Sequence, residues 1–169
     1  MNPEQPKKNI HTISFLVANK PGVLVRVALV FARRGYNMDA LVVSPTYDER
    51  FSRMTITAKG DPATLDQIIK QTAKLIDVIH AAEHTETDAL ARELALFKVR
   101  SSVASKAAIS KLVKKYSGKI ISEDKKTLIL QQTGTTEELD DLEASLKKYG
   151  MIEIVRSGKL VMAKGVEET

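Results

Sequence analysis

Apolar runs and helix-period segments alternate along this chain in one order, and the order occurs twice. Ile10 to Val17 is an apolar run of strand length, and Gly22 to Arg34 then repeats Val23, Leu24, Val27, Ala28 and Phe31 at helical spacing. Asn37 to Ser44 and Phe51 to Lys59 read as two strands around the turn 45–50, with Met54, Ile56 and Ala58 on one face of the second. Asp61-Pro62 is an N-cap with proline at N1, and Leu65, Ile68, Ile69, Thr72 and Leu75 give a second helix its inward face. Ile76 to Ala82 closes the set as a fourth strand. Beyond a polar stretch the order resumes. Leu94 to Val99 is a strand, and Ser105 to Tyr116 is a helix stopped by Gly118. Lys119 to Ser122 and Thr127 to Gln132 make a hairpin. Thr135 and Glu138 form a capping box, Leu139, Leu142, Leu146 and Tyr149 line a helix ended by Gly150, and Ile152 to Val155 starts a last strand.

Strand–helix–strand–strand–helix–strand is the order of a ferredoxin-like unit. The expectation is therefore an α+β protein of two tandem ferredoxin-like βαββαβ domains. Its parts are a polar N-terminal tail over 1–9, a first domain over 10–83, a linker over 84–92, a second domain over 93–163 and a tail over 164–169. The repeat is one of topology, without residue-level similarity between the halves.

The stretch Asn19-Lys20-Pro21-Gly22-Val23-Leu24 joins the first strand directly to the first helix. A helix begun this way leaves backbone N–H groups without partners, and the positive end of its dipole lies among them, which suits a carboxylate. Gly22 admits a ligand close to the backbone, because no Cβ stands in the way. The Asn19 amide can both donate and accept. These residues fit a pocket for a small amino acid; they fit an ordinary strand–helix turn as well.

Composition removes several function classes. The chain has no cysteine, so disulfides, thiolate zinc sites and cysteine nucleophiles are excluded. No apolar stretch approaches the ~18 residues of a membrane span, and the first nine residues lack a signal-peptide core; the expected compartment is the cytoplasm. The net charge of +5 divides as +3 and +2 between residues 1–83 and 84–169, with no basic block. Aromatics make up 5% and do not interleave with Arg or Lys, so no nucleic-acid surface is expected. His80 and His84 fall at a strand end and in the linker, where i, i+4 spacing does not bring ligands together, and no metal site is expected. Arg53 beside Ser52 reads either as functional or as a cross-strand partner.

Each unit has fewer than ninety residues, a size commonly helped by association. In a ferredoxin-like sheet the second strand lies at an edge. Here it carries Met38-Asp39-Ala40-Leu41-Val42-Val43, with one charge and no interior proline or lysine. Unprotected edges of this kind pair with other chains, so a homodimer through this strand is expected. It would carry Asn37 and Met38 of one chain toward the 19–24 turn of the other.

Three segments together resemble an ACT domain: Asn19 to Leu24, Phe31-Ala32-Arg33-Arg34-Gly35-Tyr36-Asn37, and Ser52-Arg53-Met54-Thr55-Ile56. Lys70-Gln71, Lys74 to Val78, Arg92 to Val99, Gly118 to Ile121 and Val155 to Gly158 narrow the resemblance to the small regulatory subunit of acetolactate synthase. It covers the chain from Ile10 to about Met162. It implies an ACT domain over 10–83 and a subunit without an active site of its own. Such a subunit partners a large catalytic subunit that carries thiamine diphosphate, Mg and FAD, itself binding no cofactor. It activates that subunit and confers feedback inhibition by valine or another branched-chain amino acid at the interface of two ACT domains. Carried onto this sequence, the effector contacts are Asn19, Gly22, Val23 and Leu24 from one chain and Asn37 and Met38 from its partner. Lys20-Pro21 departs from the acidic or small polar residues common there. The alternative is a free-standing ACT-type amino-acid sensor or transcriptional regulator, against which the absence of a helix-turn-helix pattern counts.

Overall fold

The computed structural model describes residues 10–166, 168 and 169. The tail expected over 1–9 lies outside them. The described residues divide into two units, 10–90 with 159–166, 168 and 169, and Ala91–Gly158.

In the first unit, β1 (Ile10–Ala18), α1 (Val23–Arg33), β2 (Met38–Pro45), β3 (Phe51–Lys59), α2 (Pro62–Thr72) and β4 (Val78–His84) follow in order. The strands form an antiparallel sheet in the order β2-β3-β1-β4. Strand alternation sends Ile13, Phe15 and Val17 of β1 and Met54, Ile56 and Ala58 of β3 to one face. There they meet Val23, Val27 and Phe31 of α1 and Leu65 and Ile68 of α2 in a single buried core. Asp61 caps α2 by accepting from the Thr64 N–H at 2.9 Å, with Pro62 at the first helical position. Tyr36 is held by a second glycine: a Cβ on Gly60 would lie 2.0 Å from the ring. The fourth strand starts later than the sequence suggests. Ile76 is apolar but almost fully exposed, in a turn closed by the Val78 N–H on the Leu75 carbonyl at 3.0 Å.

The second unit is built from β5 (Ala89–Arg100), α3 (Val103–Lys115), β6 (Lys119–Glu123), β7 (Thr127–Gly134), α4 (Thr136–Leu146) with a 3-10 turn (Lys147–Tyr149), and β8 (Met151–Arg156). Its sheet runs β6-β7-β5-β8. Ala95, Phe97, Val99, Leu128 and Leu130 pack against Ile109 and Val113 of α3 and Leu139, Leu142 and Leu146 of α4. The Thr135–Glu138 capping box is present, and Gly150 stops the element at φ 79°. So is a second box, Ser102 with Ser105, one turn before the expected start of α3. The element order and strand order of the two units give the α+β, tandem ferredoxin-like architecture.

Three boundaries shift. Strand β5 already begins at Ala89, so the stretch read as a linker over 84–92 is reduced to the turn 85–88, where Asp88 Oδ1 accepts from the Thr85 N–H at 2.8 Å. The polar residues there are turn chemistry rather than slack chain. At the other end a further strand, β9 (Leu160–Ala163), follows β8. The stretch read as the end of the second domain and a tail over 164–169 groups with the first unit, Lys164 donating from its backbone to the Asp88 carbonyl at 2.8 Å. Gly118 is not the left-handed stop of α3. Ser117 takes that conformation at φ 57°, while a Cβ on Gly118 would lie 2.7 Å from Gln132 Oε1.

Candidate functional site

The turn after β1 is tied to the β2–β3 turn. Asn19 donates from its backbone to the Arg50 carbonyl at 2.8 Å and from Nδ2 to the Glu49 carbonyl at 2.9 Å. The carboxylate of Asp48 in turn holds Arg50, at 2.6 Å to Nη2. One end of the Asn19 amide is therefore spent on orienting the turn, which leaves the carbonyl oxygen as the acceptor it can offer.

Gly22 is the N-cap of α1 at φ 83°, and no side chain caps the helix. The other three α-helices are each capped by a side chain, from Asp61, Ser102 and Thr135. The Val23 N–H donates to the Lys20 carbonyl at 3.4 Å, and with no side-chain cap the positive end of α1 is otherwise open to an anion. Val23 is in the core at 3% exposure, so its branched side chain is spent on packing. Leu24, one of the expected effector contacts, is 43% exposed, so its side chain is not part of the core. The helix of eleven residues buries one stripe, Val23, Val27 and Phe31.

Arg26 stands beside this turn, and the sequence reading did not single it out. Its Nη2 donates to Asp77 Oδ2 at 2.6 Å, and its Nη1 would stand 3.1 Å from a Cβ on Gly22. It lies across the glycine from one helical turn on. The i, i+4 spacing of Gly22 and Arg26 was the available signal.

Asn37 and Met38 stand elsewhere. The register pairs Pro45 with Ser52 and Met38 with Ala58, while Val17, next to the turn, pairs with Ser52. Ser52 and Ala58 are six residues apart on β3, which is ~20 Å of strand at ~3.3 Å per residue. One chain therefore holds the 19–24 turn at one end of its sheet and Asn37 and Met38 at the other. Asn37 is exposed, and Met38 packs partly on the core. Strand β2 is an edge of the described sheet, with a bulge between Met38 and Ala40 and Asp39 paired to Lys59 at 2.6 Å.

His80 and His84 sit on β4, not in a linker. His84 Nε2 meets Ser14 Oγ at 2.6 Å. Burial pushes the His84 imidazole below its usual range, partly opposed by the charge of Asp88 and reinforced by Arg53 and His80. A histidine harder to protonate folded than unfolded contributes stability above its unfolded value, about 6.5, that is lost as pH falls through the lowered one. Urea midpoints are expected to fall between pH 7.5 and 5.5, and the fall to be smaller in His84→Gln; equal slopes would remove His84 from the account. Among the described residues, no group of three or more His, Asp or Glu is placed to hold a metal, and no helix is long and apolar enough to cross a membrane.

Comparisons with known proteins agree along nearly the whole chain. The family described as "AHAS small subunit-like ACT domain" matches residues 13–80, and the one described as "Small subunit of acetolactate synthase" matches residues 92–165. The acetolactate synthase small subunit of Mycolicibacterium smegmatis is 41% identical over 155 residues, covering 92% of this chain and 91% of the relative. A probable acetolactate synthase small subunit of Archaeoglobus fulgidus is 38% identical, with 92% and 97% covered. The crystal structure of the small subunit from Thermotoga maritima superposes with a TM-score of 0.84 at 35% identity, over 93% of this chain and 98% of that one. Two matched segments in the right order, an ACT fold and relatives spanned from end to end place this chain in the acetolactate synthase small-subunit family.

Proposed function

We propose that this chain is the regulatory subunit of an acetolactate synthase. It activates a thiamine-diphosphate-dependent catalytic subunit and makes it sensitive to valine or another branched-chain amino acid. Family membership over both units supports the assignment. One observation carries the effector site: the register holds the uncapped turn and Asn37 at opposite ends of one sheet. Two copies joined antiparallel through β2 bring the Met38 end of each strand to the Pro45 end of the other. The 19–24 turn of one copy then faces Asn37 and Met38 of its partner, and the site exists twice per dimer.

The second face of α1 supports that pairing. Val25 and Leu29 are 59% and 45% exposed, beside Leu24. A helix apolar on two sides has a second surface to bury. Valine supplies a carboxylate for the helix N-terminus, an ammonium for the Asn19 and Asn37 carbonyl oxygens, and a branched side chain for Leu24 and Met38. A helix-terminus contact contributes ~0.3–1 kcal/mol, up to ~2 when partly buried. Millimolar affinity requires about −4 kcal/mol, which a few such contacts and apolar burial reach.

Coupling follows from linkage: the effector must bind differently in the active and inhibited complex, and the effect is reciprocal in binding. In this reading the bridging ligand fixes the orientation of the two ACT domains and thereby weakens activation. The test is reconstitution. Adding the chain to the catalytic subunit is expected to raise acetolactate formation and to make it valine-sensitive, while the chain alone turns nothing over. No change in the catalytic subunit's rate or valine response would refute the proposal. Pairing through β2 has its own check. Leu41→Pro removes a strand donor, and Val43→Lys places a charge on the edge; each is expected to shift sedimentation from dimer to monomer without loss of the far-ultraviolet spectrum.

A further inference from the structure

Arg26 stands one helical turn beyond Gly22, its backbone N–H donating to the Gly22 carbonyl at 3.1 Å. Helical side chains lean toward the N-terminus, so this one lies back over the glycine. A Cβ built on Gly22 would meet Arg26 Nη1 at 3.1 Å and Cζ at 3.9 Å, and apart from its chain neighbours no other atom within 4 Å. The room left by the missing Cβ is thus bordered by one cation. Arg26 is 45% exposed, so a small solute can reach it.

The guanidinium is only half engaged. Nη2 donates to Asp77 Oδ2 at 2.6 Å, while Nη1 and Nε have no acceptor among the described residues. Asp77 is the fixed member of the pair. Its side chain is 13% exposed, and its carbonyl accepts from the Ala18 N–H at 2.8 Å, at the end of the strand that leads into the turn. An ion pair with so exposed an arginine adds little stability. What Asp77 does is fix the plane of the fork, whose remaining donors suit a second carboxylate. The acceptor for an ammonium lies three residues before Gly22: Asn19 spends Nδ2 on the Glu49 carbonyl, so Oδ1 is the end it offers.

We infer that Arg26 selects a free α-carboxylate at the 19–24 turn: Nη1 and Nε donate to the carboxylate of the bound amino acid, and Asp77 is the positioning residue that holds the fork over Gly22. This rests on the reading of that turn as the effector site, and it names the ligand class admitted there. Amino acids with a free carboxylate enter; their amides and esters, which leave the guanidinium without its anion, are rejected.

The test is titration of the full chain with valine and with valinamide, followed by amide chemical shifts of α1, which read weak binding. Arg26→Gln is expected to weaken valine on the order of tenfold to a hundredfold, the scale of hydrogen bonds to a charged group, and to leave valinamide unchanged. The preference for valine over valinamide then narrows by the same factor. Equal losses for the two ligands would make the role of Arg26 structural and overturn the inference, as would an unchanged valine affinity. If the wild type takes up no valine, or if Gly22→Asp binds it as tightly as the wild type, the effector reading falls and Arg26 with it. Arg26→Lys keeps the charge but not the fork, and an intermediate valine affinity with unchanged valinamide is expected. Should Arg26→Gln fail to fold, this variant decides, since wild-type affinity for valine there overturns the inference.

Discussion

Gly22→Asp is expected to abolish calorimetric binding of valine, isoleucine and leucine while leaving activation of the catalytic subunit in place. The substituted carboxylate would stand where the ligand's own is to lie, and like charges in contact cost several kcal/mol, enough for a loss of ~100-fold or more. The structure adds a second cost. Gly22 is at φ 83°, where an L residue is strained by ~1–2 kcal/mol, though aspartate is among the better tolerated there. The Cβ would come 3.1 Å from Arg26 Nη1, at the far end of a flexible, half-exposed side chain whose Nη2 is paired to Asp77. The variant should therefore fold with a modestly lower melting temperature. Gly22→Asn carries the same backbone strain and nearly the same volume without the charge. It is expected to weaken binding far less, and equal losses in the two would assign the effect to strain. Loss of activation together with binding, accompanied by reduced helicity, would mark a folding defect and remove the variant as evidence for the site.

Arg156→Ala is expected to destabilise the second unit by about 3–5 kcal/mol, the usual cost of leaving one partner of a buried ion pair alone. Glu93 is buried, and Arg156 donates to its Oε2 from Nε at 3.1 Å and from Nη2 at 2.8 Å. Thr136 Oγ1 satisfies the other oxygen, and Asp140 takes Arg156 Nη1. Burial by itself would push the guanidinium down, but the hydrogen bonds to Asp140 and Glu93 outweigh it and hold it above its usual value. The network joins β5, β8 and α4, so its removal acts across the whole unit. Urea unfolding followed by circular dichroism measures the loss. The double variant Glu93→Leu, Arg156→Met should recover most of it, because no unpaired charge then remains. A single variant as stable as the wild type would show that water reaches Glu93.

The fold was legible because its causes are local. The apolar periods of β1, α1, β3 and α4, the Asp61-Pro62 and Thr135–Glu138 caps and the left-handed glycines at 22, 35 and 150 each act within a few residues. The turn 19–24 was legible for the same reason. Where the reading slipped, an apolar or polar residue was judged by type alone. Ile76 was taken for strand and is exposed in a turn, and the polar run 84–92 was taken for linker and is largely strand.

By itself, then, the sequence determined the two βαββαβ units, their cores and the open end of α1, since hydrophobic period and capping are properties of short segments. Only the tertiary structure decided what lies beside what. It set Arg26 across Gly22, sent the 160–169 segment back to the first unit, and held Asn37 ~20 Å of strand from the turn. Those relations join residues far apart in the chain, and they are fixed by strand register and packing, which no local pattern encodes.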